Sequence, residues 1–309
     1  MIKFNLKNYD VVFISYDEPN ADENWADLLT KVPNAKRVHG VKGLATAHRK
    51  AGSLSTTDKT ITVDGDNRLY KDLINADFEV NEDFDFKNTL LNWPSKNIIN
   101  GLEYGNGGIK LWPTEILANC STDEFAAPGS AQQVDYSYGL QSQITFHECY
   151  SHIYSNASPL QAWRSAFREG VKLGLRRGVK VADLGTHWPG GRKRLSLWMT
   201  VGADIENGIY SILGARQGCY LTHFTDWDMN NNGNFDYLNN YFKENVESLS
   251  YQQILDESIR LGKIISIKFE VCDPFTPEQS AFVKNMNPDP DKKMSNDKTY
   301  HWVKKPEWD

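Results

Sequence analysis

The sequence predicts an α/β protein with an open, mostly parallel central sheet flanked by helices, and three observations carry this. Apolar runs of strand length, Asp10 to Tyr16 and Thr60 to Val63, are bounded by turn chemistry. Segments of helical spacing lie between the runs, so strand, helix, strand, helix, strand follow within the first 67 residues. The last strand ends in Asp64-Gly65-Asp66-Asn67, two carboxylates one residue apart. Ligands of open α/β sheets bind outside the carboxyl ends of the strands. Hard oxygen donors there suit Mg²⁺ or Mn²⁺ shared with a diphosphate. The triplet is also good turn chemistry in its own right.

In order, Asp10 to Tyr16 fits a buried parallel strand and Asp17-Glu18-Pro19-Asn20 its exit loop. Asn24 to Thr30 has helical spacing through Trp25, Leu28 and Leu29, and Pro33-Asn34-Ala35 breaks it. Lys36-Arg37-Val38 is a second strand, Gly43 to Ala51 a second helix stopped by Gly52-Ser53, with right-handed crossovers. Asp77 to Phe86 reads as loop with strand character. The glycines from Gly101 to Gly108 imply close backbone approach or a tight bend. Ser158 to Leu175 is the clearest helix, with Ser158 as N-cap, Pro159 at its first position and Arg176-Arg177 matching its dipole. Another helix is expected from Asp204 to Ala215, stopping near Gly218, with Gly218 to Phe224 as strand. No repeat or linker is evident, so residues 1–284 form one domain and 285–309 a loosely ordered tail with an aromatic patch (Tyr300, Trp302, Trp308).

Composition sets limits. Hydrophobic content of 40% and charge of 24% are ordinary for a globular enzyme. A net charge of −6 argues against a wholly basic nucleic-acid binder and leaves room for a local basic face. Four widely spaced cysteines, without CxxC or zinc spacing, read as reduced thiols. No secretory leader is legible, and no apolar run approaches the roughly 18–20 residues that cross a bilayer. The expectation is a soluble, cytoplasmic protein without membrane contact.

Lys42-Gly43-Leu44-Ala45-Thr46-Ala47-His48-Arg49-Lys50-Ala51-Gly52, followed by Val63-Asp64-Gly65-Asp66-Asn67, resembles the family 2 glycosyltransferases of the GT-A fold. In that family a Gly-x-Ala-x-Ala-x-x-x-Ala-Gly helix precedes a strand ending in Asp-x-Asp. The resemblance implies a GT-A fold with a helical and loop insertion and a C-terminal extension. Its nucleotide-sugar half would cover about residues 1–118 and its acceptor half about 119–284. It implies that Tyr16, Asp17, Glu18, His48 and Asp64 bind the nucleotide sugar, foremost a UDP-sugar. Asp64 and Asp66 would hold Mn²⁺ or Mg²⁺.

Asn106-Gly107-Gly108 to Leu117 resembles the family's Gly-rich sugar segment, placing Gly107 and Gly108 at the donor, although Trp112-Pro113 stands where the family has Arg-Arg. Gly202-Ala203-Asp204-Ile205-Glu206 resembles the acidic helix start that carries the inverting base, which makes Asp204 and then Glu206 the catalytic candidates. Glu148 and Glu169 are rivals. His223 falls where relatives complete the metal site, and is equally a packed core histidine.

Two other constellations stand out. Asp228 to Asn239 fits an EF-hand calcium loop at six positions but has Asn239 where a bidentate Glu is needed, so an Asn-rich loop competes. Lys172, Arg176, Arg177, Lys180, Arg192, Lys193 and Arg194, with His187 and Trp188 beside the turn Pro189-Gly190-Gly191, fit a basic loop with an aromatic probe. Such a loop suits a phosphate backbone and a base drawn from its stack. A solvated face is the alternative. The segments from Ser155 to Leu175 and Val201 to Gly218 resemble glycosyltransferases of T-even-type phages, which add sugars to hydroxymethylated or hydroxylated pyrimidines in DNA. That resemblance implies double-stranded DNA as partner and glucose or arabinose as sugar. Transfer to a glycan, lipid-linked sugar or protein, or a non-catalytic nucleotide-sugar or DNA-binding role, are the other readings.

Overall fold

The computed structural model describes residues 1–70, 73–120, 142–176, 179–180, 189–286 and 299–303. Strands β1 (Ile2–Asn5), β2 (Asp10–Ser15), β3 (Lys36–His39), β4 (Lys59–Asp64), β5 (Asn67–Leu69) and β6 (Asp77–Val80) enclose helices α1 (Ala21–Lys31) and α2 (Leu44–Leu54). There follow β7 (Leu90–Asn97), β8 (Glu103–Pro113), α3 (Thr114–Asn119), β9 (Ser142–Phe146), β10 (Ser151–Ile153) and α4 (Pro159–Gly174). The rest comprises β11 (Leu175–Arg176), β12 (Val179–Lys180), α5 (Pro189–Trp198), α6 (Gly208–Phe224), α7 (Phe235–Asn245), α8 (Tyr251–Ile265), α9 (Pro277–Asn285) and β13 (Thr299–Val303).

The main sheet runs β13-β9-β7-β8-β4-β2-β3, with β10 and β5 added off β7. Only its β4-β2-β3 portion is a purely parallel block. β8 lies antiparallel to both β4 and β7, while β9 lies parallel to β7. The sheet is therefore mixed, and the expectation of a mostly parallel one is corrected. Antiparallel neighbours need no helical crossover, which is why the chain from Asp77 to Pro113 builds sheet with little helix. Thr299–Val303 of the tail pairs with Phe146–Ser142 at the sheet edge, so this stretch is not loose.

The three strands read from the sequence formed as β2, β3 and β4, each bounded by turn and cap chemistry, while β1 was not read. Val11, Val12 and Phe13, then Ile61 and Val63, are buried, on strands that feel both layers. One sheet face packs against a core containing Phe13, Leu28, Ile61, Trp93 and Phe146; α2 and α3 cover Val12, Val38, Leu90 and Trp112 on the other. A third core, from Trp163 through Leu213 to Phe269, joins α4 to α8 in a helical layer. Among the described residues no helix is long and apolar enough to cross a membrane.

Ser158 caps α4 as expected, accepting from the Gln161 amide at 3.1 Å. The helix expected at 204–215 instead runs Gly208–Phe224, straight through Gly214 and Gly218, and Gly218 to Phe224 is helix rather than strand. These glycines are contact points, not stops. A Cβ on Gly214 would overlap the Trp163 carbonyl, one on Gly218 the Phe167 carbonyl, and one on Gly170 the Ala215 carbonyl. Gly52 likewise lies within α2, where a Cβ would come 2.6 Å from the Ala118 amide nitrogen. Gly218→Ala should therefore push α4 and α6 apart at a backbone contact and cost about 1–3 kcal/mol; chemical denaturation with an unchanged midpoint would contradict this.

Pro189-Gly190-Gly191 opens α5 rather than forming a turn, with Pro at the first position. The calcium-loop reading is corrected too. Met229–Gly233 is a 3₁₀ turn and Asn239 lies in α7, its Oδ1 accepting from Arg164 Nη1 at 2.8 Å. Asp236 pairs with Lys42 at 2.5 Å. Two of the would-be ligands are thus turned to protein partners.

Candidate functional site

The carboxyl ends of β2 and β4 lie side by side, with Ile14 in register with Asp64. The loop after β2 folds back onto the turn after β4. Glu18 Oε2 accepts from the Tyr16 amide at 2.7 Å and crowds Gly65, where a Cβ would lie 2.8 Å from that oxygen. Gly65 is what lets the two turns meet. Asn24 on α1 ties the same turn down, donating to the Gly65 carbonyl at 2.9 Å.

Three carboxylates converge here. Asp66 sits deepest: burial first, then the charges of Asp64 and Glu18, push its carboxyl up to about 7. Burial also raises Glu18. Asp64 is the open member, its side chain 41% exposed, with Lys110 Nζ from β8 at 3.5 Å. Like charges gathered where little water reaches them favour a cation. Among the described residues no group of three or more His, Cys, Asp or Glu side chains is placed to hold one metal ion. Two carboxylates with phosphate oxygens are the usual ligand set of Mg²⁺, which seldom takes an all-protein cage. The donor set therefore fits a cation shared with a diphosphate.

Asp66 is held by residues that were not singled out from the sequence. Asn67 Nδ2 donates to Asp66 Oδ1 at 2.8 Å. Asn67 Oδ1 accepts from the hydroxyls of Ser95 at 3.1 Å and Ser151 at 3.0 Å, and the Gly108 amide donates to Ser95 Oγ at 3.1 Å. With its oxygen committed, the Asn67 amide can only donate toward Asp66. A Cβ on Gly108 would overlap the Asn67 side chain. Gly108, read as a sugar contact, thus makes room for the group that aims Asp66. Asn67→Leu should keep the shape, take from the Ser95 and Ser151 hydroxyls their shared acceptor and cost about 1–3 kcal/mol. Divalent-ion affinity should fall about 10–100-fold, and an unchanged ion titration would contradict this.

The expected nucleotide residues divide. Asp17 is held by a bidentate pair with Arg164 of α4 (2.8 and 2.6 Å), a partner 147 residues away that no local pattern announces. Arg164 also lies 4.2 Å over the Phe235 ring, and Tyr16 meets the same ring edge-on at 6.3 Å. Tyr16, Asp17 and Glu18 thus form one wall with α4 and α7. His48 is a buried residue of α2, donates from Nδ1 to the Leu44 carbonyl at 2.8 Å and stands edge-on to Trp112; burial pushes its imidazole down to about 4. It is a neutral packing residue within electrostatic reach of Asp64. Gly107 lies on β8, its surroundings outside the described residues.

The acidic loop is brought close. The Tyr154 amide donates to the Asp66 carbonyl at 2.7 Å, and two residues on Asn156 Nδ2 donates to the Glu206 carbonyl at 3.1 Å. Asn207 returns a bond to the Asn156 carbonyl at 2.9 Å. Within this loop Asp204 Oδ2 pairs with Lys284 at 2.5 Å, while its Oδ1 is buried without a hydrogen-bond partner among the described residues. Glu206 is exposed. Of the rivals, Glu169 pairs with Lys172 and Glu148 is exposed.

His223 is not brought to this site. It lies near the end of α6, donating from Nε2 to the Gly174 carbonyl at 2.7 Å and edge-on to Phe269 at 4.9 Å. The helix that was read as strand carries it into the third core. Several members of the basic cluster are buried or paired within the protein. Arg194 is buried in α5, Arg192 is half-buried, Lys172 is paired, and Lys193 and Lys180 are exposed. The Arg176 side chain, Arg177, His187 and Trp188 lie outside the described residues.

No protein-family model matches the chain, and no curated protein matches it. Among solved structures, the crystal structure of S. aureus TarS 1-349 aligns over 91% of this chain and 89% of its own, at 11% identity and a TM-score of 0.30. A likeness that loose carries no function to this chain.

Proposed function

We propose that this chain is a metal-dependent, inverting glycosyltransferase that moves a sugar from a nucleotide-diphosphate sugar, foremost a UDP-sugar, to a hydroxyl. Hydroxymethylcytosine or a related hydroxylated pyrimidine in DNA is the proposed acceptor, with glucose or arabinose as the sugar. The observation that supports the reading is the convergence of Asp64, Asp66 and Glu18 at adjacent strand ends, beside Lys110.

Asp64 and Asp66 would hold Mn²⁺ or Mg²⁺, which as a Lewis acid stabilises negative charge on a departing diphosphate. Lys110 stands at Asp64 and suits a phosphate oxygen. The Tyr16–Glu18 wall has the aromatic and carboxylate groups that a base and ribose need. Asp204 is the proposed base, held by the pairing of its Oδ2 with Lys284. Glu206, exposed two residues on, is second. The DNA acceptor is supported by the resemblance of the 155–175 and 201–218 segments.

The deciding experiment incubates the protein with Mn²⁺, a panel of nucleotide sugars and hydroxymethylcytosine-containing DNA, then weighs the released nucleosides. A hexose or pentose increment is expected, and its absence with every donor would overturn the acceptor. Sugar appearing on a glycan or protein instead would move the same chemistry to that acceptor.

A further inference from the structure

The loop that carries Asp204 and Glu206 is closed on itself. The Ile205 amide donates to the Gly202 carbonyl at 3.2 Å, and the Gly208 amide donates to the Ile205 carbonyl at 3.1 Å. A Cβ on Gly208 would lie 1.9 Å from the Gly202 carbonyl oxygen, so glycine is what lets the two ends meet. α9 fastens one side of the loop, through Ser280 Oγ to the Gly202 amide at 3.2 Å and through Lys284 to Asp204.

Side-chain amides fasten the other side. Asn207 is the one non-glycine residue with a positive φ among the described residues, at φ 60° and ψ 4°. Asparagine enters this left-handed region more readily than most residues, but not without cost. A residue at a helix N-cap is ordinarily extended, its side chain accepting from the first turn. Asn207, at the N-cap of α6, is not extended and makes no such bond. Its Nδ2 instead donates to the Asn156 carbonyl at 2.9 Å, while Asn156 Nδ2 donates to the Glu206 carbonyl at 3.1 Å. The two asparagines form a reciprocal clasp, and the cap of α6 is given up for it.

Asn156 is in turn tied to the carboxylate turn. Two residues earlier, the Tyr154 amide donates to the Asp66 carbonyl at 2.7 Å. The Tyr154 carbonyl accepts from Asn20 Nδ2 at 2.8 Å, and Asn20 Oδ1 accepts from Gln161 Nε2 at 3.3 Å. Gln161 Oε1 accepts from the Ala157 amide at 2.9 Å. Residues 154–157 are thus held at both ends and act as a strut of fixed length between the Asp66 turn and the Asp204 loop.

We infer that Asn156 and Asn207 are positioning residues that set the acidic loop at a fixed separation from the carboxylates proposed to hold the metal. The inference rests on the proposed sugar transfer, in which the base and the departing diphosphate stand on opposite sides of one carbon. A displacement of about 1 Å in such an arrangement costs roughly 100-fold in rate. The clasp acts through Asp204 and Glu206 and touches no reacting atom. It also accounts for the left-handed asparagine: glycine would adopt that backbone freely but could not make the bond.

Asn207→Gly keeps the backbone and removes one donor of the clasp, and Asn156→Ala removes the other. Each should lower kcat for sugar transfer about 10–100-fold, while KM for the nucleotide sugar stays within about threefold. The double variant should lose little more than either single one, because all three break the same clasp. Hydrogen exchange gives a readout independent of turnover. UDP–Mn²⁺ should slow exchange over residues 202–208 in the wild type and not in Asn207→Gly. Wild-type kcat in both variants would overturn the inference, as would losses that follow KM or melting temperature alone. UDP–Mn²⁺ binding that leaves wild-type exchange over 202–208 unchanged would overturn it and spare the sugar-transfer reading. No UDP–Mn²⁺ binding would sink both. Clasp-dependent protection without transfer to any acceptor would leave the strut standing and sink the sugar-transfer reading.

Discussion

Asp66→Ala is expected to reduce sugar transfer by roughly 10³-fold, the several kcal/mol that a Lewis-acid ion contributes to a departing diphosphate. The fold should survive and gain stability, because the change removes a crowded carboxylate. The pH dependence has a definite sign. The Asp66 carboxyl is raised from 3.8 to about 7, so the folded state holds a proton that the unfolded chain has already released between those values. Stability is therefore greatest at the acid end, falls as pH rises through that window and levels above about 7. The Ala variant should lack that fall. A bound cation reverses the effect by favouring the ionised form, so Mn²⁺ with UDP should raise the melting temperature more above pH 7 than below it. Thermal melts of both proteins across this range check all three expectations. Equal Mn²⁺ effects in the two proteins would remove Asp66 from the metal site.

Arg164→Leu is expected to cost about 3 kcal/mol, since it leaves the Asp17 carboxylate without its bidentate partner and removes the nearer of the two guanidinium groups over the Phe235 ring. The exposed third of Asp17 keeps the loss from being larger. Arg164 also donates to Asn239, so one side chain joins the β2 exit loop, α4 and α7. UDP affinity should fall with stability, because the Tyr16–Glu18 wall loses its backing. Asp17→Asn in the same chain should recover part of the stability, as the stranded charge is gone. Urea denaturation of the single and double variants measures this, and equal midpoints in the wild type and Arg164→Leu would refute it.

The region from Asp10 to Asp66 was legible because every signal in it is local. Buried runs, a proline break and a two-carboxylate turn lie within a few residues of one another, and the structure builds β2, α1, β3, α2 and β4 there. What was missed depends on distance along the chain. Arg164 reaches Asp17 across 147 residues, and Ser151 reaches Asn67 across 84. Gly52 and Gly218 read as stops because a glycine's local meaning is weak helix propensity, whereas here each permits backbone contact with another element. That misreading turned the end of α6 into a strand and lent His223 the look of a ligand. The Arg192–Arg194 run shows the same limit, since charge composition alone does not reveal that Arg194 is buried against its own helical layer.

Calorimetric titration of UDP into the protein, with and without Mn²⁺, and into Asp66→Ala, tests the central claim most directly. The account predicts binding that requires the metal and disappears with the carboxylate. Binding of equal strength without Mn²⁺, or undiminished in Asp66→Ala, would contradict it.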